Sequence, residues 1–356
     1  MSRTVQVTIA LPLPSELLDR VRSVSSSLEV KHLSRMQRYV YRDGRPLWAG
    51  YSEPPDAGDE SEEAARETLR EVLATSEVVL TNPIVLGDIQ ARAPGLRWLQ
   101  LTSAGADRLI ESDLVRSRRV QVTTASGLHA VPISEYVIGS IIAFAKGLPG
   151  AVRAQEQWTW RPYLARELEE ATVSIVGLGA IGSRVAELAK ALGMRVLASR
   201  RSCEHRLSGA EAGEPRVDEL VPPSDLPYLL AEADYLVLSM PLTDESRGLI
   251  GEDQLRAMKP GAVIVNIARG PVIDQPALIR ALREGRIGGA ALDVTDPEPL
   301  PPDNELWSMP NVMITPHISG GTPRYMDRAI DIFCDNLRRY LADEPLRNVV
   351  DPARGY

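Results

Sequence analysis

The chain has 356 residues, which is a typical size for two domains, and its 44% hydrophobic and 25% charged residues are ordinary for a folded protein. The balance of 40 Lys and Arg against 48 Asp and Glu gives a net charge of −8, which excludes nucleic acid as an expected partner. The two cysteines form no metal-ligand spacing with histidines, so we expect no disulfide framework, no metal and a reducing, cytoplasmic location. The longest apolar stretch, residues 137–145, is shorter than the roughly 20 residues that a bilayer requires. We therefore expect neither a membrane partner nor a signal peptide.

The first third of the chain predicts short strands and helices in alternation. Val5–Ala10 is a predicted strand, and a helix begins at Ser15. A second helix is predicted over Glu63–Thr75, and residues 41–60, rich in Gly, Pro, Asp and Glu, predict a solvated loop. Further strands are predicted at residues 78–80, 98–101 and 120–123.

The middle of the chain begins with an apolar helix from Pro132 to about Lys146, which is followed by an irregular stretch that contains Trp158 and Trp160. Strand-like runs separated by helical patterns then predict a doubly wound α/β fold with a mostly parallel sheet. These runs are residues 173–176, 195–198, 235–238, 262–267, 290–293 and 312–314. The tail from Pro323 to Leu341 predicts one packing helix that returns to the first domain.

A G-x-G-x-x-G pattern follows the first of these strands and precedes an amphipathic helix. Gly177 permits a tight turn, Gly179 lets a pyrophosphate approach the backbone, and Gly182 lets helix and strand pack closely. The helix begins at Ala180 and Ile181, whose free N–H groups favour phosphate. The pattern therefore predicts a dinucleotide site, and the alternative is a glycine-rich turn in a purely structural α/β unit.

The second strand ends in Ser199, Arg200 and Arg201, where an NAD site carries an acid. A guanidinium binds a 2′-phosphate through charge-assisted hydrogen bonds, so the sequence predicts a preference for NADP(H) over NAD(H). The alternative is that the two arginines form a solvated turn and that Glu204 contacts the ribose.

Three later strands are each followed by a polar segment. Residues 265–270 contain Arg269, residues 291–300 contain Glu298, and residues 311–320 contain His317. The carboxyl ends of parallel strands line one edge of a doubly wound sheet, so these side chains are expected to converge on a nicotinamide. Taken singly, each has a structural alternative: a surface ion pair, an exposed loop between prolines, and a hydrogen-bonding histidine.

Together, these segments resemble the D-isomer-specific 2-hydroxyacid dehydrogenase family. The segments at residues 102–107, 134–136 and 239–243 are also similar, and the resemblance runs from about residue 75 to residue 325, whereas residues 1–60 match poorly. The resemblance implies two Rossmann-like, doubly wound parallel-sheet domains separated by an active-site cleft. Residues 1–128 with 318–356 would form the substrate domain, and residues 129–317 the dinucleotide-binding domain.

The family chemistry is hydride transfer between NADP(H), or NAD(H), and a small 2-keto or 2-hydroxy acid such as glyoxylate or hydroxypyruvate. The resemblance implies that His317 is the general acid and base, that Glu298 orients its ring and favours the protonated form, and that Arg269 binds the substrate carboxylate. It adds substrate contacts at Ser103, Ala104 and Gly105. The implied cofactor contacts are Gly177, Gly179, Ala180, Ile181, Gly182, Ser199, Arg200, Arg201, Pro241, Ala268 and Asp293, the last facing the nicotinamide carboxamide.

The resemblance also implies a homodimer formed by residues 132–148 and the region of Trp158 and Trp160, for which core packing is the alternative. Two other functions remain open: a nucleotide-sensing, corepressor-like binding protein on the same fold, and a methyltransferase, which leaves the Arg, Glu and His segments unexplained. Within the family, Glu298 disfavours the formate-oxidising branch, which carries Gln there, and a phosphite-oxidising relative stays open.

Overall fold

The computed structural model describes residues 3–33, 70–82, 93–106, 112–117 and 119–351. The predictions for residues 41–60, for most of residues 63–75 and for Asp107 lie outside these ranges, although residues 70–74 are helical. The chain divides into two compact units, residues 1–128 with 322–356, and residues 129–321.

The first unit contains a parallel sheet of five described strands in the order β2-β1-β3-β4-β5. The strands are β1 (Val5–Ala10), β2 (Leu28–His32), β3 (Val78–Thr81), β4 (Trp98–Leu101) and β5 (Gln121–Thr123). Besides the helical residues 70–74, the helices described in this unit are α1 (Ser15–Arg22), α2 (Asp113–Arg116) and, near the chain end, α9 (Tyr325–Leu341). This strand order is that of flavodoxin-like doubly wound sheets.

Helix α9 closes one face of this sheet, as the periodicity of the tail predicts. Its buried stripe includes Met326, Ile330, Phe333 and Leu337, which share one apolar cluster with β1, β3 and α1. The ring of Trp98 lies 5.3 Å from that of Phe333, centroid to centroid. The C-terminal helix therefore belongs to the core of the first unit.

The second unit contains a sheet of eight described strands in the order β13-β12-β11-β10-β6-β7-β9-β8. The strands are β6 (Thr172–Val176), β7 (Arg195–Ser199), β8 (Leu207–Ser208), β9 (Glu219–Val221), β10 (Tyr235–Leu238), β11 (Val263–Asn266), β12 (Gly289–Leu292) and β13 (Val312–Ile314). The helices are α3 (Ala130–Ala145), α4 (Leu148–Glu156), α5 (Ala180–Ala191), α6 (Leu226–Glu232), α7 (Glu252–Ala257) and α8 (Gln275–Arg283). All neighbouring strands are parallel except the β8–β9 pair, which is antiparallel.

The ends of six strands of this sheet lie in a single register row. Cα pairing joins Ser199 to Val176, Val176 to Leu238 and Leu238 to Asn266, and the row continues through Leu292 to Ile314. The chain runs from β6 outward through β7 and β9, then returns to the other side of β6 at β10, so the order of the strands reverses between β6 and β10. Ligands of open α/β sheets bind at such a reversal, beyond the carboxyl ends of the strands.

The two units divide at residues 128/129 and 321/322, whereas the resemblance implies boundaries at 128/129 and 317/318. The difference at the second boundary has a local cause, because the carboxylate of Asp293 accepts hydrogen bonds from the backbone N–H groups of Ile318 and Ser319. These bonds keep the residues after His317 with the second unit.

Within the described residues, no single helix is long and apolar enough to cross a membrane. Helices α3 and α4, bent by 66° relative to each other, reach that length and composition only as a pair. Nowhere in the described part of the chain do three or more His, Cys, Asp or Glu side chains gather as a metal site.

Candidate active site

The turn between β6 and α5 has the backbone that its glycines permit. Gly177 has a φ of +103°, in the region that favours glycine, and a Cβ there would lie 2.9 Å from the amide nitrogen of Met240. A Cβ at Gly182 would overlap the carbonyl oxygen of Gly177. The N–H groups of Gly177 and Leu178 both donate to the carbonyl of Ser199, each over 3.0 Å, so the end of β7 holds the turn in place.

Gly179 is different, because a Cβ built there meets nothing within 4 Å. Gly179 and Ala180 are exposed, and no side chain caps the N-terminus of the twelve-residue helix α5 that begins at Ala180. Open space beside the free N–H groups of a helix N-terminus suits a phosphate group. The residues of this turn therefore fit the pyrophosphate of a dinucleotide.

The arginines after β7 are ion-paired in the structure. Arg200 Nη1 lies 2.8 Å from Glu214 Oε1, and Arg201 Nη2 lies 3.7 Å from Glu245 Oε2. Glu204, the alternative ribose contact, is exposed. No pattern in the sequence points to Glu214, because this residue lies in an irregular loop fourteen residues after Arg200 and has no periodicity that would relate the two.

His317 and Glu298 form a pair beyond the ends of β12 and β13. His317 Nδ1 lies 3.0 Å from Glu298 Oε2, and the two side chains are 52% and 39% exposed. An ionised carboxylate only accepts hydrogen bonds, so Nδ1 carries the proton in this pair and Nε2 is the ring nitrogen left for another partner. The backbone N–H of Thr295 donates to the other oxygen of Glu298 over 3.1 Å. Both oxygens of Glu298 are thereby oriented, one by the backbone and one by the histidine.

Arg269 follows β11, the neighbour of β12, and its turn packs against the Glu298 segment. A Cβ at Gly270 would overlap the carbonyl oxygen of Thr295, so the two loops touch through their backbones. The guanidinium is exposed, and its Nη1 donates to the carbonyl of Ala268 over 2.7 Å. Asn266 Oδ1 accepts a hydrogen bond from the N–H of Ala268, which shapes the start of this turn.

Asp293 is buried, with 1% of its surface exposed, and holds the loop that carries His317. Its Oδ1 accepts hydrogen bonds from the hydroxyl of Thr315 over 2.6 Å and the N–H of Ile318 over 2.9 Å. Its Oδ2 accepts one from the N–H of Ser319 over 3.0 Å, and its backbone carbonyl accepts one from the N–H of His317 over 2.9 Å. Asp293 therefore accepts hydrogen bonds from residues on both sides of His317. The sequence did not predict these bonds, because it assigns Asp293 to the nicotinamide.

Tyr136 extends this network from helix α3. Its hydroxyl lies 2.8 Å from that of Thr315, which donates its own proton to Asp293, so Tyr136 is the donor of the pair. Burial raises the pKa of Tyr136 above its ordinary value of 10.0. The phenol therefore keeps its proton, and the chain of donors from Tyr136 to Asp293 stays intact, throughout the neutral range.

The remaining predicted site residues lie in two places. Ser103, Ala104 and Gly105 follow β4 in the first unit, where the hydroxyl of Ser103 donates to the carbonyl of Gly105 over 2.7 Å. Pro241 follows β10 in the second unit, and its carbonyl accepts a hydrogen bond from Ser246 Oγ over 2.9 Å. The structure thus brings the segments of Arg269, Glu298 and His317 together at the edge that also carries the glycine turn. The strand of His317 lies four strand spacings, or about 19 Å, from the strand of that turn.

Comparison with known proteins extends this picture. Residues 138–319 match the model of the NAD binding domain of D-isomer specific 2-hydroxyacid dehydrogenases. A glyoxylate reductase of Aeropyrum pernix is 36% identical over 74% of this chain and 79% of its own length. A D-3-phosphoglycerate dehydrogenase of Methanocaldococcus jannaschii is 32% identical over 80% of this chain and 54% of its own length.

Among solved structures, a D-isomer specific 2-hydroxyacid dehydrogenase from Xanthobacter autotrophicus Py2, in complex with NADPH and MES, is 28% identical. It superposes with a TM-score of 0.73 and covers 99% of this chain and 100% of that one. The family match at residues 138–319 spans the glycine turn, Glu298 and His317, and the solved structure covers both units. The chain belongs to the D-isomer specific 2-hydroxyacid dehydrogenase family.

Proposed function

We propose that this chain is a cytoplasmic, NADPH-preferring reductase of a small 2-keto acid, with glyoxylate and hydroxypyruvate as the candidate substrates. The observation that carries the proposal is the 3.0 Å contact between His317 Nδ1 and Glu298 Oε2 at the sheet edge that also bears the glycine turn. The similarity to a glyoxylate reductase supports the substrate class, and the similarity to an NADPH-bound relative supports the cofactor.

The glycine turn is the proposed pyrophosphate site, where Gly177, Gly179 and Gly182 let the backbone approach and the N–H groups of Ala180 and Ile181 donate. When bound, the reduced nicotinamide supplies the hydride. The remaining cofactor contacts are proposed at Ser199, Arg200, Arg201, Pro241, Ala268 and Asp293. The bonds that Asp293 makes to the loop of His317 give it a second role in this proposal, since the same carboxylate orients the histidine.

His317 is the proposed proton donor for reduction and the proton acceptor for oxidation. With Nδ1–H directed at Glu298, the ring presents Nε2 to the carbonyl oxygen of the substrate, and protonated Nε2 donates there as hydride arrives at carbon. The hydrogen bond between His317 Nδ1 and Glu298 fixes the angle of the ring. The pair thus keeps Nε2 directed at the substrate.

Arg269 is the proposed carboxylate clamp, because its planar fork binds a carboxylate with two parallel hydrogen bonds. The backbone around Ser103, Ala104 and Gly105 is proposed as a further carboxylate contact, as the family resemblance implies. An enzyme of this design selects for an acid group next to the reacting carbonyl.

A homodimer is also proposed, through the segment that follows helix α4. Tyr163 anchors this segment by donating to the carbonyl of Lys146 over 2.7 Å, while Trp158, Trp160 and Leu164 are at least 95% exposed. Core packing within the chain therefore does not explain the two tryptophans. Large apolar side chains left exposed on a fixed segment are typical of an interface, and a second copy of this chain is the proposed partner.

A panel of glyoxylate, hydroxypyruvate and pyruvate, assayed with NADPH and with NADH by the loss of absorbance of the reduced nicotinamide, tests the proposal. We expect turnover with at least one of the first two acids and a higher kcat/KM with NADPH. Binding of NADPH without turnover of any 2-keto acid would support the nucleotide-sensing alternative instead.

A further inference from the structure

We propose that Glu214 is a specificity-determining residue that limits this chain's preference for NADPH by occupying the guanidinium of Arg200. This inference rests on the proposed NADP(H) function and deepens it. The carboxylate stands beside the arginine that a cofactor 2′-phosphate requires, whereas a ribose 2′-hydroxyl carries no charge for it to repel.

Arg200 is the first residue after β7, the strand whose end pairs in register with the strand of the glycine turn. Its Nη1 lies 2.8 Å from Glu214 Oε1, and Glu214 is largely buried, with 15% of its side chain exposed. Arg200 is 37% exposed, and its Nε is buried without a hydrogen-bond partner. The guanidinium thus contacts Glu214 through Nη1, and its other N–H donors are left for a second anion.

The position of Glu214 is fixed by the loop between β8 and β9. Its N–H donates to the carbonyl of Gly209 over 2.7 Å, and its carbonyl accepts from the N–H of Val217 over 3.1 Å. A Cβ at Gly209 would overlap the carbonyl oxygen of Val217 and lie 2.7 Å from that of Glu214, so the loop closes tightly on itself. The carboxylate is therefore held beside Arg200 by backbone geometry.

The charges around Glu214 show why it does not simply cancel Arg200. Its second oxygen, Oε2, lies 3.0 Å from Nη2 of Arg216, so two guanidiniums share one negative charge. A phosphate approaching Arg200 gains the attraction of Arg200 and of Arg216 but meets the repulsion of Glu214. The net electrostatic interaction between these three side chains and the phosphate is therefore attractive, and Glu214 weakens the binding of a 2′-phosphate without abolishing it.

Arg201 provides the comparison. Its partner Glu245 is 80% exposed and lies 3.7 Å away, so water and salt screen the pair. Glu245 offers the same side-chain chemistry next to the neighbouring arginine, yet without burial. It is therefore the matched control for Glu214.

The experiment is calorimetric titration of the full chain with NADPH and NADH, and with 2′,5′-ADP and 5′-ADP, which differ in the 2′-phosphate. For Glu214→Gln, which keeps an oxygen acceptor for Arg200, we expect affinity for NADPH and 2′,5′-ADP to rise about tenfold and affinity for NADH and 5′-ADP to change less than about twofold. Glu245→Gln should leave all four affinities within about twofold of the wild-type values.

A second variant moves selectivity the other way and covers the case in which Glu214→Gln does not fold. Arg216→Gln removes the other cation that shares Glu214, so we expect affinity for 2′,5′-ADP to fall about threefold and affinity for 5′-ADP to hold. An unchanged ratio of NADPH to NADH affinity in Glu214→Gln, or in Arg216→Gln if only that variant folds, would overturn the role of Glu214 alone. Failure of the wild-type chain to bind either dinucleotide would overturn the proposed function with it.

Discussion

At the scale of single residues, His317 is held in a backbone conformation that residues other than glycine rarely adopt. Its φ of 55° is left-handed, which costs a non-glycine residue about 1–2 kcal/mol. The backbone and side chain of Asp293 offset that cost through bonds to His317, Ile318 and Ser319. Strain of this kind persists where the surrounding structure holds the backbone in place. Here the bonds from Asp293 hold the backbone of His317 in the conformation that places its ring beside Glu298.

Replacement of the proposed acid has a clear kinetic consequence. We expect His317→Ala to lower kcat for 2-keto acid reduction by at least about 10²-fold, the lower range for loss of a general acid, with dinucleotide affinity retained. Steady-state assays and cofactor titration measure the two quantities. His205→Ala, which removes an exposed imidazole elsewhere in the second unit, should behave as wild type. Near-normal kcat in His317→Ala would remove this residue from the mechanism.

The hold on the histidine loop is testable through its carboxylate. Asp293→Asn places an amide N–H₂ against one of the backbone N–H groups that the carboxylate accepts from, and a buried group without its bond costs about 1–3 kcal/mol. We therefore expect a lower free energy of unfolding in denaturant titration, together with a lower kcat. Asp296→Asn, at an exposed position three residues later, is the control and should change neither. An unchanged free energy of unfolding in Asp293→Asn would show that the loop of His317 does not depend on this carboxylate for its stability.

The sequence predicted the residues that stand in a recognisable short motif. It missed the residues whose role depends on a hydrogen-bond or ion-pair partner elsewhere in the chain. Arg269, Glu298 and His317 follow strands of a regular βα pattern, so their placement at one edge could be argued from periodicity alone. The grip of Asp293 on the loop of His317 depends on how that loop folds back. The pairing of Glu214 with Arg200 depends on a loop without periodicity, and no pattern in the sequence signals it.

At the scale of elements, the same distinction separates the helices and strands that were predicted from those that were not. The strands at 235–238 and 312–314 have the predicted bounds, because they are apolar runs between clear breaks. Helix α4 was missed, since it contains Pro149 and Gly150 and buries no residue, which leaves no apolar stripe to detect. Strand β2 was missed because it lies at the edge of its sheet and contains no fully buried residue, so it has no continuous apolar run to detect.

Helix α9 is joined to the first unit by a buried polar contact that carries a stability prediction. Asn336 is fully buried, and its amide group bonds to Gln100 Oε1 and to both backbone groups of Arg347. Asn336→Ala leaves these partners unsatisfied, so we expect a loss of about 2–4 kcal/mol in the free energy of unfolding, measured by denaturant titration. Arg338→Ala, on the exposed face of the same helix, should cost no more than about 0.5 kcal/mol. Equal losses in both variants would contradict the contact.

The same helix carries the buried thiol of Cys334, which should make the stability of the chain depend on pH in the alkaline range. Burial raises the pKa of Cys334 from 9.0 to about 11. Its contribution to stability is complete below about pH 9, where the thiol is protonated in both states, and is lost as the pH rises towards 11, where only the unfolded chain readily ionises. We expect the free energy of unfolding to fall more steeply between pH 9 and 11 in the wild type than in Cys334→Ala. Parallel curves would contradict the shift.

At the scale of the whole molecule, the proposed dimer turns on the exposed tryptophans. We expect the double variant Trp158→Ser with Trp160→Ser to sediment with about half the mass of the wild-type chain, because it removes the largest exposed apolar side chains of the segment after helix α4. Analytical ultracentrifugation gives the mass directly. Trp307→Ser changes a half-exposed tryptophan elsewhere in the second unit and should leave the mass unaltered. A wild-type chain that sediments as a monomer would refute the assembly.

The single register row at the carboxyl ends of the six strands sets what this chain tolerates as it diverges. A residue inserted within β11, β12 or β13 would advance every later side chain by about 3.3 Å and turn it to the opposite face of the sheet. Insertions in the surface connections at the opposite, amino-terminal edge would leave the row untouched. Insertions and deletions among natural or laboratory variants should therefore occur mainly in the connections at that edge. The lengths of the strands should stay constant even where their amino acids change.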